Sequence, residues 1–190
     1  MTNTTVIVLV AIVFLIIGVL LATAFNRLQR TKQLKERFSS EYDHTLDKVG
    51  DKRQAESELQ ARVDHVEKLN IRPLTAEETD RFTREWQTTQ TEFVDQPLTS
   101  VQKANQLIKE AMSVRGYPVD DFEQRAADIS VDHPDLVANY RELHAIAVKS
   151  NRDGISTEEM RQAMVHGRAL FHDLVQTDIK VEDPNQKEKV

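Results

Sequence analysis

The string VIVLVAIVFLIIGVLLATA, residues 6–24, decides how the rest of the chain is read. It holds no charge, no amide side chain and no proline. As a helix its ~19 residues rise about 28 Å, close to the ~30 Å hydrocarbon core of a bilayer. The string therefore predicts a transmembrane helix over residues 6–25, behind a short tail at residues 1–5, with the lipid bilayer as the partner of that segment.

Immediately beyond it stand Arg27, Arg30, Lys32, Lys35 and Arg37 against the single acid Glu36, a local charge of +4. The net charge is −6 and the first 26 residues carry none, which leaves −10 for everything after residue 37. Basic residues next to a span mark its cytoplasmic side, so these five set the topology: N-terminus out, C-terminal part inside. The same run can also touch anionic lipid, at about 1 kcal/mol per charge. The alternative is export, since Ala22-Thr23-Ala24 fits a small-x-small cleavage site. Against it, Met-Thr-Asn-Thr-Thr supplies no positive n-region, and the apolar run exceeds the usual ~7–15 residues. An acidic remainder argues against nucleic acid as a partner, because non-specific binding needs a basic surface to displace counterions. Cysteine is absent, which removes disulfides and thiolate chemistry.

Past the membrane the composition is helical: rich in Glu, Gln, Arg, Lys and Ala, with four glycines, five prolines and no sustained apolar–polar alternation. The predicted class is all-α. Leu28, Leu34, Phe38, Tyr42 and Leu46 keep a loose helical spacing away from the bilayer, and Gly50 marks a break. Leu59, Val63, Val66 and Leu69 then form one narrow stripe. Residues 26–71 therefore read as a basic juxtamembrane segment and a polar, extended linker helix, of which Ser39 to Leu69 alone would reach about 45 Å from the bilayer. The stripe suits either a helix lying on its own domain or a short coiled-coil seam that would make the protein a homo-oligomer. Glu56 and Lys52 or Arg53 fall on that seam and interrupt it.

Pro73 ends this region, and Thr75-Ala-Glu-Glu78 is a capping box that opens the next helix. Phe82, Trp86, Gln90 and Phe93 share its face; Gln90 there needs a buried partner or a groove rim. A following helix points Val101, Ala104, Leu107, Ile108, Ala111 and Met112 inward and stops at Gly116. Asp120-Asp-Phe-Glu123 caps a short helix with Phe122, Ala126 and Ile129. Asp132 and Pro134 are read as the cap and first turn of another, carrying Val137, Tyr140, Leu143, His144, Ala147 and Val148. Ser156-Thr-Glu-Glu159 caps the last, which buries Met160, Ala163, Met164, Leu170, Phe171 and Leu174. Residues 72–175 thus predict a compact bundle of about five helices, and residues 176–190 a disordered tail.

Chemistry is harder to find. The six histidines include no pair at i and i+4, so no metal site and no cofactor is expected. Asp128, Ser130, Asp132, His133, Tyr140, Arg141 and His144 concentrate acids, imidazoles and a hydroxyl in a short stretch. Asp128, His133, His144 and His166 are the catalytic candidates, with Asp128 orienting a histidine in an acid–base site. The plainer reading makes Ser130 and Asp132 caps, and Tyr140 and His144 packers. No nucleophile elbow, phosphate loop or dinucleotide fingerprint occurs.

The order of short signatures, Arg37-Phe38 with Glu41-Tyr42-Asp43, Arg72-Pro73-Leu74, Trp86 with Phe93-Val94-Asp95, Arg115-Gly116-Tyr117-Pro118, Asp128-Ile-Ser-Val-Asp-His-Pro134 and Arg161-Gln-Ala-Met-Val-His166, resembles an uncharacterised family of small, N-terminally membrane-anchored bacterial helical proteins. That family often has Gly-Pro where this chain has Ser39-Ser40, a change that leaves the fold untouched. It often has an aromatic where this chain has Gly167, a change that opens a small gap on the final helix. The resemblance implies a bacterial source, hence the inner membrane, and brings no activity, substrate or cofactor. The resulting expectation is a single-pass anchor displaying a cytoplasmic helical module that binds another, unidentified protein as an adaptor or scaffold. The alternatives are a membrane-tethered hydrolytic enzyme using the His/Asp cluster, and a self-associating spacer.

Overall fold

The computed structural model describes residues 2–149 and 154–176, with side chains described from Leu15 onward and not at Gln176. Among the described residues the chain is all helix: α1 (Thr2–Phe38), α2 (Ser40–Val49), α3 (Lys52–Val66), α4 (Ala76–Glu92), α5 (Pro97–Arg115), α6 (Phe122–Asp132), α7 (Val137–Val148) and α8 (Thr157–Gln176). The expected tail, residues 176–190, lies outside the described residues except for Gln176, which ends α8, and residues 150–153 lie outside them too. Two compact units divide after Gln60, inside α3.

The N-terminal unit starts with α1, one unbroken helix of 37 residues. Among the described residues no helix is long and apolar enough to cross a membrane. The run expected to do so begins at Val6, and its residues 6–14 lie where side chains are not described. What is described of it is exposed: Leu15, Ile16, Val19, Leu20, Leu21 and Phe25 are each more than half open, from 52% to 69%.

The extended linker is corrected by the structure. The chain turns after α1 at Ser39, the only described non-glycine with positive φ (45°, ψ −125°), and again at Gly50 (φ 76°). The first conformation is strained for a residue with a Cβ. Glycine adopts it freely and proline suits the next position, the first of α2, so a Gly-Pro pair would fit this turn better than Ser-Ser. Between these turns the segment folds back on itself. Thr31 of α1 and Tyr42 of α2 both donate hydroxyl hydrogen bonds to Glu56 Oε1 of α3, at 2.8 and 2.9 Å. Leu34, Phe38, Tyr42, Ala55 and Leu59 are buried with them. Glu56, which interrupts a coiled-coil seam on paper, is the polar centre of this small core. Burial, and then the bond to Glu56, push the Tyr42 phenol up to about 12.

The second unit holds α4 to α8. α8 packs on α5 and α7, and α4 packs on α5. Phe82, Trp86, Ile108, Met112, Leu143 and Leu170 lie at the centre of its apolar core. Val63 and Val66 of the narrow stripe are buried and Leu69 packs against this core, so the stripe is already covered within one chain. Thr89, not Gln90, takes the buried position on α4 and donates to the Glu85 carbonyl at 2.9 Å; Gln90 lines the rim of a shallow groove with Phe93.

Both capping boxes form, Thr75–Glu78 on α4 and Ser156–Glu159 on α8. Arg72 clamps Glu78 with two bonds of 2.8 Å; that clamp, with the Thr75 amide, holds the Glu78 carboxyl down at about 2. The Arg72 amide also donates to the Arg115 carbonyl at 2.9 Å. Here the backbone passes Gly116 (φ 101°) so closely that a Cβ would stand 2.6 Å from the Asn70 oxygen. Only glycine fits, on both counts.

Two further expectations are corrected. Asp132 does not cap α7: it ends α6 and accepts the Tyr117 hydroxyl at 2.9 Å, while Leu136 occupies the N-cap of α7 with no side-chain bond. Nor is there a gap at Gly167. A Cβ there would lie 3.0 Å from Leu143 Cδ2 and 3.4 Å from the Trp86 ring, which stacks on Phe171 at 4.4 Å.

Candidate functional site

The most densely polar buried place in the second unit lies where the end of α3 meets α6. Asp128 is fully buried. Its Oδ1 accepts from Gln124 Nε2 at 2.7 Å and lies 3.6 Å from His65 Nε2. Its Oδ2 and the His65 Nε2 make no hydrogen bond among the described residues. Burial raises the Asp128 pKa, against the opposing pull of Gln124, His65 and Arg62. One helical turn before His65, Arg62 Nη1 donates to Ser130 Oγ at 3.2 Å, and Ser130 donates to the Ala127 carbonyl at 2.6 Å.

This arrangement is an imidazole backed by a desolvated carboxylate, with 43% of the His65 side chain open to solvent. Such a pair can relay a proton. The hydroxyl beside it is already committed as donor and acceptor, so Ser130 is not placed as a nucleophile.

The four sequence candidates do not share one network. Asp128 faces His65. His133 pairs through Nδ1 with Asp173 of α8. His144 stacks on Phe122, ring centroids 3.7 Å apart, and burial followed by the nearby Arg125 lowers its pKa. His166 meets Asn139 through Nδ1 and Glu142 through Nε2, both at 3.0 Å. Arg125 also binds the Tyr140 hydroxyl at 3.0 Å and the Val119 carbonyl. The acid–base idea keeps its carboxylate and changes its histidine. His65 comes from α3, 63 positions before Asp128, and no local spacing signals the pairing. Among the described residues no group of three or more His, Asp or Glu is placed to hold a metal.

Two clefts carry chemistry of their own. Between α7 and α8 a cleft of about 290 Å³ is lined by the apolar Ala145, Ile146 and Ala163 and by Glu142, Glu158, Glu159 and Gln162. In the N-terminal unit a cleft of about 390 Å³ between α1 and α3 is lined by Arg27, Arg30, Lys52 and Arg53, with Thr31, Glu56 and Ser57. The first two of these cations are topology residues from the sequence. Lys52 and Arg53, which interrupt the apolar stripe in the sequence, complete the set.

The chain matches no protein-family model, no curated protein and no solved structure.

Proposed function

We propose that the protein is a membrane-anchored adaptor: residues 6–25 lie in the inner membrane of a bacterium, and the helical part on the cytoplasmic side binds another protein. The row of open apolar side chains from Leu15 to Phe25 carries the first half of this reading. Each such side chain left in water forgoes about 1.5–3 kcal/mol relative to an apolar surrounding, and soluble proteins rarely expose so continuous a patch. The hydroxyl of Thr23 is turned back onto the Leu20 carbonyl at 2.9 Å, as lipid requires. The positive stretch from Arg27 to Arg37 follows at once.

The second half rests on the α7–α8 cleft. Its carboxylates are already engaged within the chain, Glu142 by His166, Glu158 by Arg161 and Glu159 by the Ser156 cap, so the apolar side chains between them suit the apolar face of a partner segment such as an amphipathic helix. Fractionation tests the anchor: the chain should sediment with membranes and resist alkaline extraction, and deletion of residues 6–24 should release it. A mature form beginning near Phe25 outside the cytoplasm would defeat it. A photocross-linker at Ile146 tests the adaptor. It should capture one reproducible protein, and Ala145→Arg, which puts a long charged side chain into the apolar cleft, should abolish capture. Capture of this chain alone would count against a distinct partner.

A second reading, a membrane-tethered hydrolase, draws on the buried Asp128 beside the half-open His65. Hydrolysis by the purified chain that disappears in a folded His65→Gln variant would promote it. Activity indifferent to that substitution would remove the pair from consideration.

A further inference from the structure

From the cleft between α1 and α3 we infer a binding site for a phosphate group, supplied by the headgroup of an anionic phospholipid. The site's position relative to lipid rests on the anchored reading above; its chemistry does not.

Four cations line one space. Arg27 and Arg30 are three apart on α1 and so share a face, and Lys52 and Arg53 belong to the first turn of α3. Arg27, Arg30 and Arg53 have no carboxylate partner among the described residues. The single acid in the lining, Glu56, is engaged by the hydroxyls of Thr31 and Tyr42 and stands 3.7 Å from the Lys52 ammonium. The lining therefore keeps a charge of +3. Those two hydroxyl bonds also fix α3 against α1, so the cations are held together by a built core rather than by chance on one helix.

Phosphate is the anion this set suits. Guanidinium groups offer paired N–H donors that match two phosphate oxygens, and Ser57 adds a hydroxyl. The start of α3 contributes the positive end of a helix dipole, with Asp51 already capping the Gln54 amide at 2.8 Å. The volume of about 390 Å³ falls within the ~300–1,000 Å³ typical of small-molecule sites. Depth supplies the lipid. At 1.5 Å per residue, Arg27 and Arg30 stand roughly 4 and 9 Å beyond Ala24, the end of the apolar run. The headgroup layer on each side of a bilayer is about 5–8 Å thick. The α1 wall of the cleft thus opens at the level of lipid phosphates.

The test uses the full chain in a non-ionic detergent, titrated separately with phosphatidylglycerol, phosphatidylcholine and inorganic phosphate, with bound lipid read by native mass spectrometry and free phosphate by phosphorus NMR. One phosphatidylglycerol should be retained per chain where phosphatidylcholine is not. Arg30→Gln combined with Arg53→Gln should weaken retention about 30-fold. Lys32→Gln combined with Arg37→Gln makes the same charge change outside the cleft and should alter it less than about twofold. Inorganic phosphate binding with the same Arg30 and Arg53 dependence, without lipid retention, would keep the site and assign it to a soluble phosphate. Equal losses in the two double variants, or no binding of either ligand, would overturn the site. Sedimentation of the same variants with membranes reports on the anchor separately: a chain that stays in solution defeats the anchor while the phosphate arm still decides the cleft.

Discussion

The two units surround their buried polar groups with very different amounts of apolar core. In the bundle, a large apolar core led by Phe82, Trp86, Ile108 and Leu170 does the holding, and buried polar groups such as Asp128 and the Arg125–Tyr140 pair are set into it, with Arg72–Glu78 at its margin. In the N-terminal unit the apolar core is small, and a carboxylate sits within it, tied to two hydroxyls from two other helices. Area sustains the first and directed bonds sustain the second, so the same substitution class should act with different force in each.

The largest effect is expected in the bundle. Trp86→Ala removes the ring stacked on Phe171 and pressed on Gly167, and should lower unfolding stability by about 3–5 kcal/mol in urea titration. A loss under ~1 kcal/mol would mean that the core tolerates the void and that the contrast is overstated. Gly116→Ala should follow, at about 2–3 kcal/mol, because it combines a left-handed backbone with a clash against the Asn70 carbonyl that no rotamer relieves.

Glu56→Gln should cost about 1–3 kcal/mol, and locally. Hydrogen exchange should rise in α2 and the first turns of α3, while the bundle's urea midpoint, followed by Trp86 fluorescence, stays in place. Coincident loss in both would show that the units melt together. Ser39→Gly should go the other way and stabilise the N-terminal unit by about 1–2 kcal/mol, by relieving positive φ.

The smallest effect is a pH dependence. Burial holds the folded His144 pKa below the usual 6.5, so its share of stability is complete above 6.5 and is lost as pH falls and the unfolded chain takes up the proton first. Asp128 works in the opposite sense, since its raised folded pKa makes the folded state the tighter proton binder on acidification. His144→Phe should flatten the decline in thermal midpoint between about pH 6.5 and 5; an unchanged slope would assign it to another group.

Much of the bundle can be read from one dimension because its signals are local. Capping boxes occupy four consecutive residues, the α5 face repeats every three or four, and Gly116 stops its helix where it stands. What escapes is whatever depends on reversals and distant pairs. Ser39 carries no glycine to advertise its turn, so a folded-back unit looks like an extended rod. Glu56 looks misplaced until Thr31 and Tyr42 arrive from elsewhere in the chain. The acid–base candidate divides the same way: Asp128 stands out among apolar neighbours on α6, whereas its imidazole comes from a helix whose remaining charges look like an ordinary wet face. Asp132 shows the reverse hazard, a plausible local cap taken instead by a hydroxyl from Tyr117.

The unbroken α1 has a mechanical consequence. A rod of 37 residues, about 55 Å long, without proline or hinge, behaves as a shaft. Each residue advances about 100° around it, so the azimuth of the oily end and that of Arg27 and Arg30 are geared together. Inserting one alanine just after Ala24 would swing those arginines by roughly a quarter turn relative to the oily end, with every contact beyond the insertion kept. Torque applied at one end would then arrive at the other out of phase.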